Sequence, residues 1–73
     1  MTPSFYEYVK RFENPEAQDP VSRFANKVAE DQSFPKHSKD FNQLSTYLES
    51  NPDYGKFLLT FDEVWSHYQY DFG

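Results

Sequence analysis

About one residue in five of this chain is aromatic, with eight Phe, six Tyr and one Trp in 73 positions and no Cys anywhere. That combination constrains the fold more than any motif does. A chain this short has room for one core only, and ordering it costs roughly 1.5 kcal/mol per residue. Neither a disulfide nor a thiolate metal site is available to offset that cost. The aromatic side chains must supply the buried surface, because each removes a large apolar area from water. Disorder is therefore not expected, and residues 1–73 are read as a single domain. The lack of Cys also removes thiol nucleophiles and fits a reducing cytoplasm, which is the expected location. The longest apolar run, Phe57-Leu58-Leu59, is far short of a membrane span, and the N-terminus lacks a basic-then-apolar leader pattern. A net charge of −5 repels polyanions, which argues against a dedicated nucleic-acid or anionic-membrane binder.

The periodicity predicts four helices. Ser4 and Glu7 form a capping box, and Phe5, Tyr8, Val9 and Phe12 recur at steps of three and four until Asn14-Pro15 stops the run. Helix one is placed from Ser4 to Glu13. Asp19-Pro20 combines an N-cap acceptor with a proline in the first turn, and Val21, Phe24, Ala25, Val28 and Ala29 make the buried stripe of a second helix ending near Glu30-Asp31. Asp31 is expected to accept amides of the following turn. After Phe34-Pro35, Ser38 is the expected cap of a third helix carrying Phe41, Leu44, Tyr47 and Leu48 on one face and ending around Ser50. Asn51-Pro52-Asp53 stops and restarts the chain, with Asp53 as the expected cap of a long last helix through Tyr54, Phe57, Leu58, Phe61, Trp65 and Tyr68. The fold class is all-α, a compact short-loop bundle. The predicted core is Phe5, Val9, Phe12, Phe24, Val28, Phe34, Phe41, Leu44, Leu48, Phe57, Leu58, Phe61 and Trp65.

Catalytic and cofactor chemistry find little purchase in this pattern. Gly55 and Gly73 are the only glycines, so no phosphate-cradling loop or nucleophile elbow can be written. Ser4 and Ser38 are better used as caps than as nucleophiles. Glu63 and His67 stand one helical turn apart, but a bidentate pair lacks the further ligands of a stable zinc site. No enzyme activity, metal or cofactor is expected.

Two binding features remain. Fifteen aromatics are more than four short helices can hide, and Tyr6, Tyr54, Tyr70 and Phe72 are the expected surplus, suited to a protein interface. Lys36, His37 and Lys39 gather positive charge at the predicted start of helix three, where an anion such as a phosphate could bind. The leading expectation is a non-enzymatic protein-interaction module, with an unidentified protein or a second copy as partner. The alternative is weak nucleic-acid or phosphate binding through the Lys36 to Lys39 turn.

Ser4-Phe5-Tyr6-Glu7-Tyr8, the run from Glu30 through Gln32, Phe34, Pro35 and Lys36 to Ser38, Tyr47-Leu48-Glu49, and Thr60-Phe61-Asp62-Glu63-Val64-Trp65 with Tyr68 together resemble the YozE-like proteins of low-GC Gram-positive bacteria. Those small proteins have a SAM-like fold, that is, like the sterile alpha motif. The resemblance spans nearly the whole chain. It implies the topology of the bundle and brings no biochemical activity or site residues with it.

Overall fold

Ser4 begins the first element as the sequence predicts: its hydroxyl oxygen accepts the Glu7 amide at 3.3 Å and its backbone is extended. The structure is a computed structural model that describes residues 2–72. It contains α1 (Phe5–Lys10), α2 (Pro20–Glu30), α3 (Phe41–Ser50), a 3₁₀ segment (Pro52–Phe57) and α4 (Leu58–Phe72). The fold is all-α, within about 29 × 25 × 22 Å. α4 packs against α1, α2 and α3, and the 3₁₀ segment bridges α3 to α4.

Helix ends depart from expectation at three places. Beyond Lys10 the chain continues through Arg11, Phe12 and Glu13 with amides bonding three residues back, to Tyr8, Val9 and Lys10. That tighter winding turns about 120° per residue instead of 100°. Phe12 therefore swings off the core-facing stripe and is 38% exposed. α3 starts later than predicted. Asp40, not Ser38, is its N-cap, accepting the Asn42 amide at 2.9 Å, because the Ser38 carbonyl is committed to the first amide of α1 at 3.3 Å. The last cap is Asn51, whose side chain accepts the Asp53 amide at 3.1 Å, and Pro52 opens the 3₁₀ segment in place of a continuous helix. At α2 the prediction holds: Asp19 accepts the Ser22 amide at 3.0 Å, and that bond holds its carboxyl below the usual range.

The core keeps Phe5, Val9, Phe24, Val28, Phe34, Leu44, Leu48, Phe57 and Phe61. Leu58 and Trp65 are only half-buried, while Phe41 lies on the rim with its ring stacked on Phe61 at 5.5 Å. Phe5 sits at the middle, 5.4 to 5.7 Å from the rings of Phe61, Trp65 and Tyr68. Val64 and three tyrosines, Tyr8, Tyr54 and Tyr68, are buried that the sequence reading left out of the core.

The tyrosines are buried because each hydroxyl finds an acceptor. Tyr68 donates to the Pro3 carbonyl at 2.7 Å and Tyr8 to Asp71 at 2.9 Å. Tyr47 and Tyr54 both donate to the same oxygen of Asp31, at 2.5 and 2.7 Å, while the other oxygen takes the Ser33 amide at 2.9 Å, as the Asx reading of Asp31 anticipated. Among the described residues no buried polar side-chain atom lacks a partner. Tyr54 is fully buried, so it is not one of the surplus surface aromatics. The sequence could not show this, since the acceptor lies 23 residues away.

Burial alone would raise the Asp31 carboxyl, but the hydrogen bonds from Tyr47, Tyr54 and the Ser33 amide outweigh it and hold the group below the usual range. Burial, and then the hydrogen bond to Asp31 and its charge, push the Tyr47 and Tyr54 phenols up. A depressed carboxyl stabilises the fold above its unfolded value and loses that contribution as pH falls through the lower folded value. Raised phenols stabilise below their unfolded value and lose the contribution as pH rises through the folded one. Stability should therefore be level between about pH 4 and about pH 10 and fall on both sides. Asp31→Asn should make the acid limb shallower, leaving the part that Asp19 contributes, read from urea midpoints down to about pH 3. Tyr54→Phe, which removes only the hydroxyl, should cost about 1–3 kcal/mol in the same experiment. An unchanged midpoint would show that the shared acceptor adds nothing.

Candidate partner-binding surfaces

Lys36, His37 and Lys39 lie in the connection between α2 and α3, not at a helix start. The Asp40 carboxylate occupies the N-terminus of α3, meeting its amides with the protein's own negative charge. The anion cradle expected there is thus already filled. The segment is instead pinned to α1 by Ser4, whose hydroxyl donates to the Lys36 carbonyl at 2.7 Å, and by the Phe5 amide on Ser38. His37 and Lys39 are exposed. The Lys36 ammonium donates to the Gln32 carbonyl at 3.4 Å and lies 5.9 Å from the centre of the Tyr6 ring.

Tyr6 is therefore covered more than the sequence suggests. Its ring packs on Phe34 at 5.9 Å, and Lys10 lies 5.5 Å from its centre on top of the Lys36 contact. Two ammonium groups on one phenol ring make a half-buried cation–π cluster. One residue from each sequence-derived candidate set, Tyr6 and Lys36, meets here.

Phe72, another of the expected surplus aromatics, lies over the C-terminal end of α1. Phe72 packs on Tyr8 at 5.7 Å and on Tyr68 at 6.1 Å, with the Arg11 guanidinium 5.5 Å from its ring centre. Tyr70 is 90% exposed and touches none of the aromatic rings that pack the core. Beside this end is a groove of about 170 Å³ between three helices, lined by Tyr8 and Phe12 at the end of α1, Val21 of α2, and Val64 and His67 of α4. Four of the five lining side chains are apolar or aromatic, and its only imidazole is His67. Glu63, one turn before His67, makes no ion pair with it among the described residues. Nor does any group of three or more His, Cys, Asp or Glu form among them.

The geometry of an aromatic-centred bundle with a capped serine start can be set against known proteins. The family model for the YozE SAM-like fold matches residues 4–70. The chain belongs to the YozE SAM-like family. The UPF0346 protein YozE of Bacillus subtilis is 47% identical over 66 residues, covering 90% of this chain and 89% of that protein. A UPF0346 protein of Geobacillus kaustophilus is 48% identical over 71 residues, 97% of this chain and 99% of its own length. One from Limosilactobacillus reuteri is 46% identical, with 93% of both chains covered. No solved structure matches significantly. YozE-family membership thus carries the SAM-like fold over nearly the whole chain. Among the described residues no helix is long and apolar enough to cross a membrane.

Sequence reasoning missed the groove because its wall comes from three helices. Phe12 was the one usable signal, an aromatic on the last turn before a proline stop, and it reads as core until the winding of that turn is known. Ser4→Ala tests how firmly the Lys36 segment is held: it removes both the α1 cap and the donor to the Lys36 carbonyl. It should cost about 1–2 kcal/mol and raise amide exchange at Phe5 and Ser38, whose amides bond to the Ser38 and Pro35 carbonyls. Unaltered exchange at those two amides would mean the Ser4 link does not anchor the segment.

Proposed function

We propose that this protein is a non-enzymatic interaction module that takes one large apolar side chain of a basic partner segment into the groove between α1, α2 and α4. The observation that carries the reading is the groove itself. It has room for a single side chain, its wall is Tyr8, Phe12, Val21 and Val64, and Phe12 stays on the rim with 38% of its surface in water. An apolar cleft rimmed by polar groups is the usual form of an anchor site. Its titratable groups are His67 and Tyr8, and the Tyr8 hydroxyl is committed to Asp71, so it offers no acid–base pair for catalysis.

Charge complementarity selects the partner. α4 carries Asp62, Glu63 and Asp71 and no Lys or Arg, in a chain of net charge −5. A Lys- and Arg-rich segment would be drawn to that helix, and its apolar anchor would supply the residence time. Tyr70, three residues after His67, and Phe72 extend the same end of the molecule. Nucleic-acid binding through Lys36, His37 and Lys39 has less in its favour. Asp40 fills the helix start and Lys36 is engaged with Gln32 and Tyr6.

The probe is a short Lys- and Arg-rich peptide with one central Leu, measured by calorimetry against the same peptide with Ser at the centre. The Leu peptide should bind about tenfold or more tightly than the Ser peptide, and Phe12→Glu should abolish the difference while leaving the thermal midpoint within a few degrees. Equal binding of the two peptides sinks the groove reading and leaves only charge attraction. Anisotropy of labelled DNA and RNA at low salt tests the nucleic-acid reading, which predicts loss of binding in a Lys36→Ala, Lys39→Ala variant.

A further inference from the structure

A second groove, sharing no residue with the first, runs between α2 and the 3₁₀ segment. It has a volume of about 350 Å³ and is lined by Arg23, Asn26, Lys27 and Glu30 of α2 and by Asp53, Lys56 and Phe57. Three of the seven Lys and Arg side chains of an acidic protein stand on this one surface. Arg23 and Lys27 are one turn apart and so share a helix face.

These cations are not equally engaged. Lys27 lies 3.5 Å from Asp53 and 5.9 Å from the centre of the Tyr54 ring, so these two charges satisfy each other. That is the only ion pair among the described residues. Arg23 and Lys56 therefore bring charge to the groove without a carboxylate in contact. Lys56 lies 5.3 Å from the centre of the Phe57 ring, which lays its stem along the aromatic floor. Asn26 forms a fixed stretch of wall: its side chain accepts the Asn14 amide at 2.8 Å and donates to the Asn14 carbonyl at 3.0 Å. Glu30 stands seven residues from Arg23, about 10 Å along the helix. The groove is thus cationic toward Arg23 and anionic toward Glu30.

We propose that this groove is a binding site for a small ligand bearing an oxyanion, a phosphate or a carboxylate, gripped by the Arg23 guanidinium and neutralised by Lys56. The planar guanidinium offers paired donors that match either group, and the ammonium adds a mobile point charge. Glu30 repels the anion from the far end and so fixes which way the ligand lies. The site acts independently of the α1–α2–α4 groove, and each can fail without the other.

Pyrophosphate and succinate, titrated separately into the isotopically labelled protein and followed by amide chemical shifts, test the assignment. Saturable shifts confined to Arg23, Asn26, Lys27, Lys56 and their neighbours are expected, weakening as salt is raised. Arg23→Gln and Lys56→Gln should each weaken binding about tenfold. Both positions are solvent-exposed, so the thermal midpoint should hold. Binding of pyrophosphate alone marks the ligand as a phosphate compound, and binding of succinate alone or of both as a carboxylate-compatible one. Absence of saturable shifts with either anion overturns the proposal, as does saturation that both variants leave unchanged.

Discussion

Two phenol hydroxyls and one backbone amide converge on the Asp31 carboxylate, and much of the molecule is arranged around that requirement. The chain is too short and too poor in aliphatic residues to close a core without its tyrosines. A buried phenol without an acceptor costs about as much as several methylene groups return. Asp31, just past the end of α2, accepts from Tyr47 in α3 and Tyr54 in the 3₁₀ segment, and so ties three parts of the chain together. Tyr68 on the Pro3 carbonyl and Tyr8 on Asp71 repeat the arrangement at the other end, closing the terminal segments onto one another.

With the hydroxyls satisfied, the rings can pack edge to face around Phe5. Its contacts with Phe61 and Tyr68 lie at interplanar angles of 80° and 90°, the geometry favoured by aromatic quadrupoles. Cations then cover the outer faces of the aromatic cluster: Lys10 and Lys36 lie over the half-buried Tyr6, Arg11 over Phe72 and the buried Tyr8, and Lys56 over the buried Phe57. Much of the positive charge of an acidic protein is consequently held close to its aromatic surface. Two features without such a cover are the cleft beside Phe12 and Arg23 in the groove between α2 and the 3₁₀ segment.

Helix existence was legible because it rests on local chemistry. Ser4 caps α1, Asp19-Pro20 opens α2, and the spacing of Phe24 to Val28 and of Leu44 to Leu48 marks their buried faces. Boundaries were less legible where two polar residues compete. Ser38 is a good cap in isolation, yet its carbonyl is taken by α1, and Asp40 two residues on becomes the cap. Asn51 likewise precedes Asp53 at the start of the last segment. Each shift moved a candidate site. The first closed the helix terminus that Lys36 and Lys39 were expected to serve, and the second accompanied the turn of Tyr54 inward.

The sequence by itself determined the all-α class, the order of the four helices, most of the aliphatic and phenylalanine core and the YozE-like resemblance. All of these follow from periodicity, capping and residue order within short stretches. Only the tertiary structure decided which aromatics face water and where clefts lie. A tyrosine's fate depends on an acceptor far away along the chain, and a groove depends on side chains from helices that meet only once the chain has folded. Tyr54 and Tyr70 look alike in sequence. One is sealed against Asp31 and the other stands in solvent, because only the first folds into the core with an acceptor for its hydroxyl.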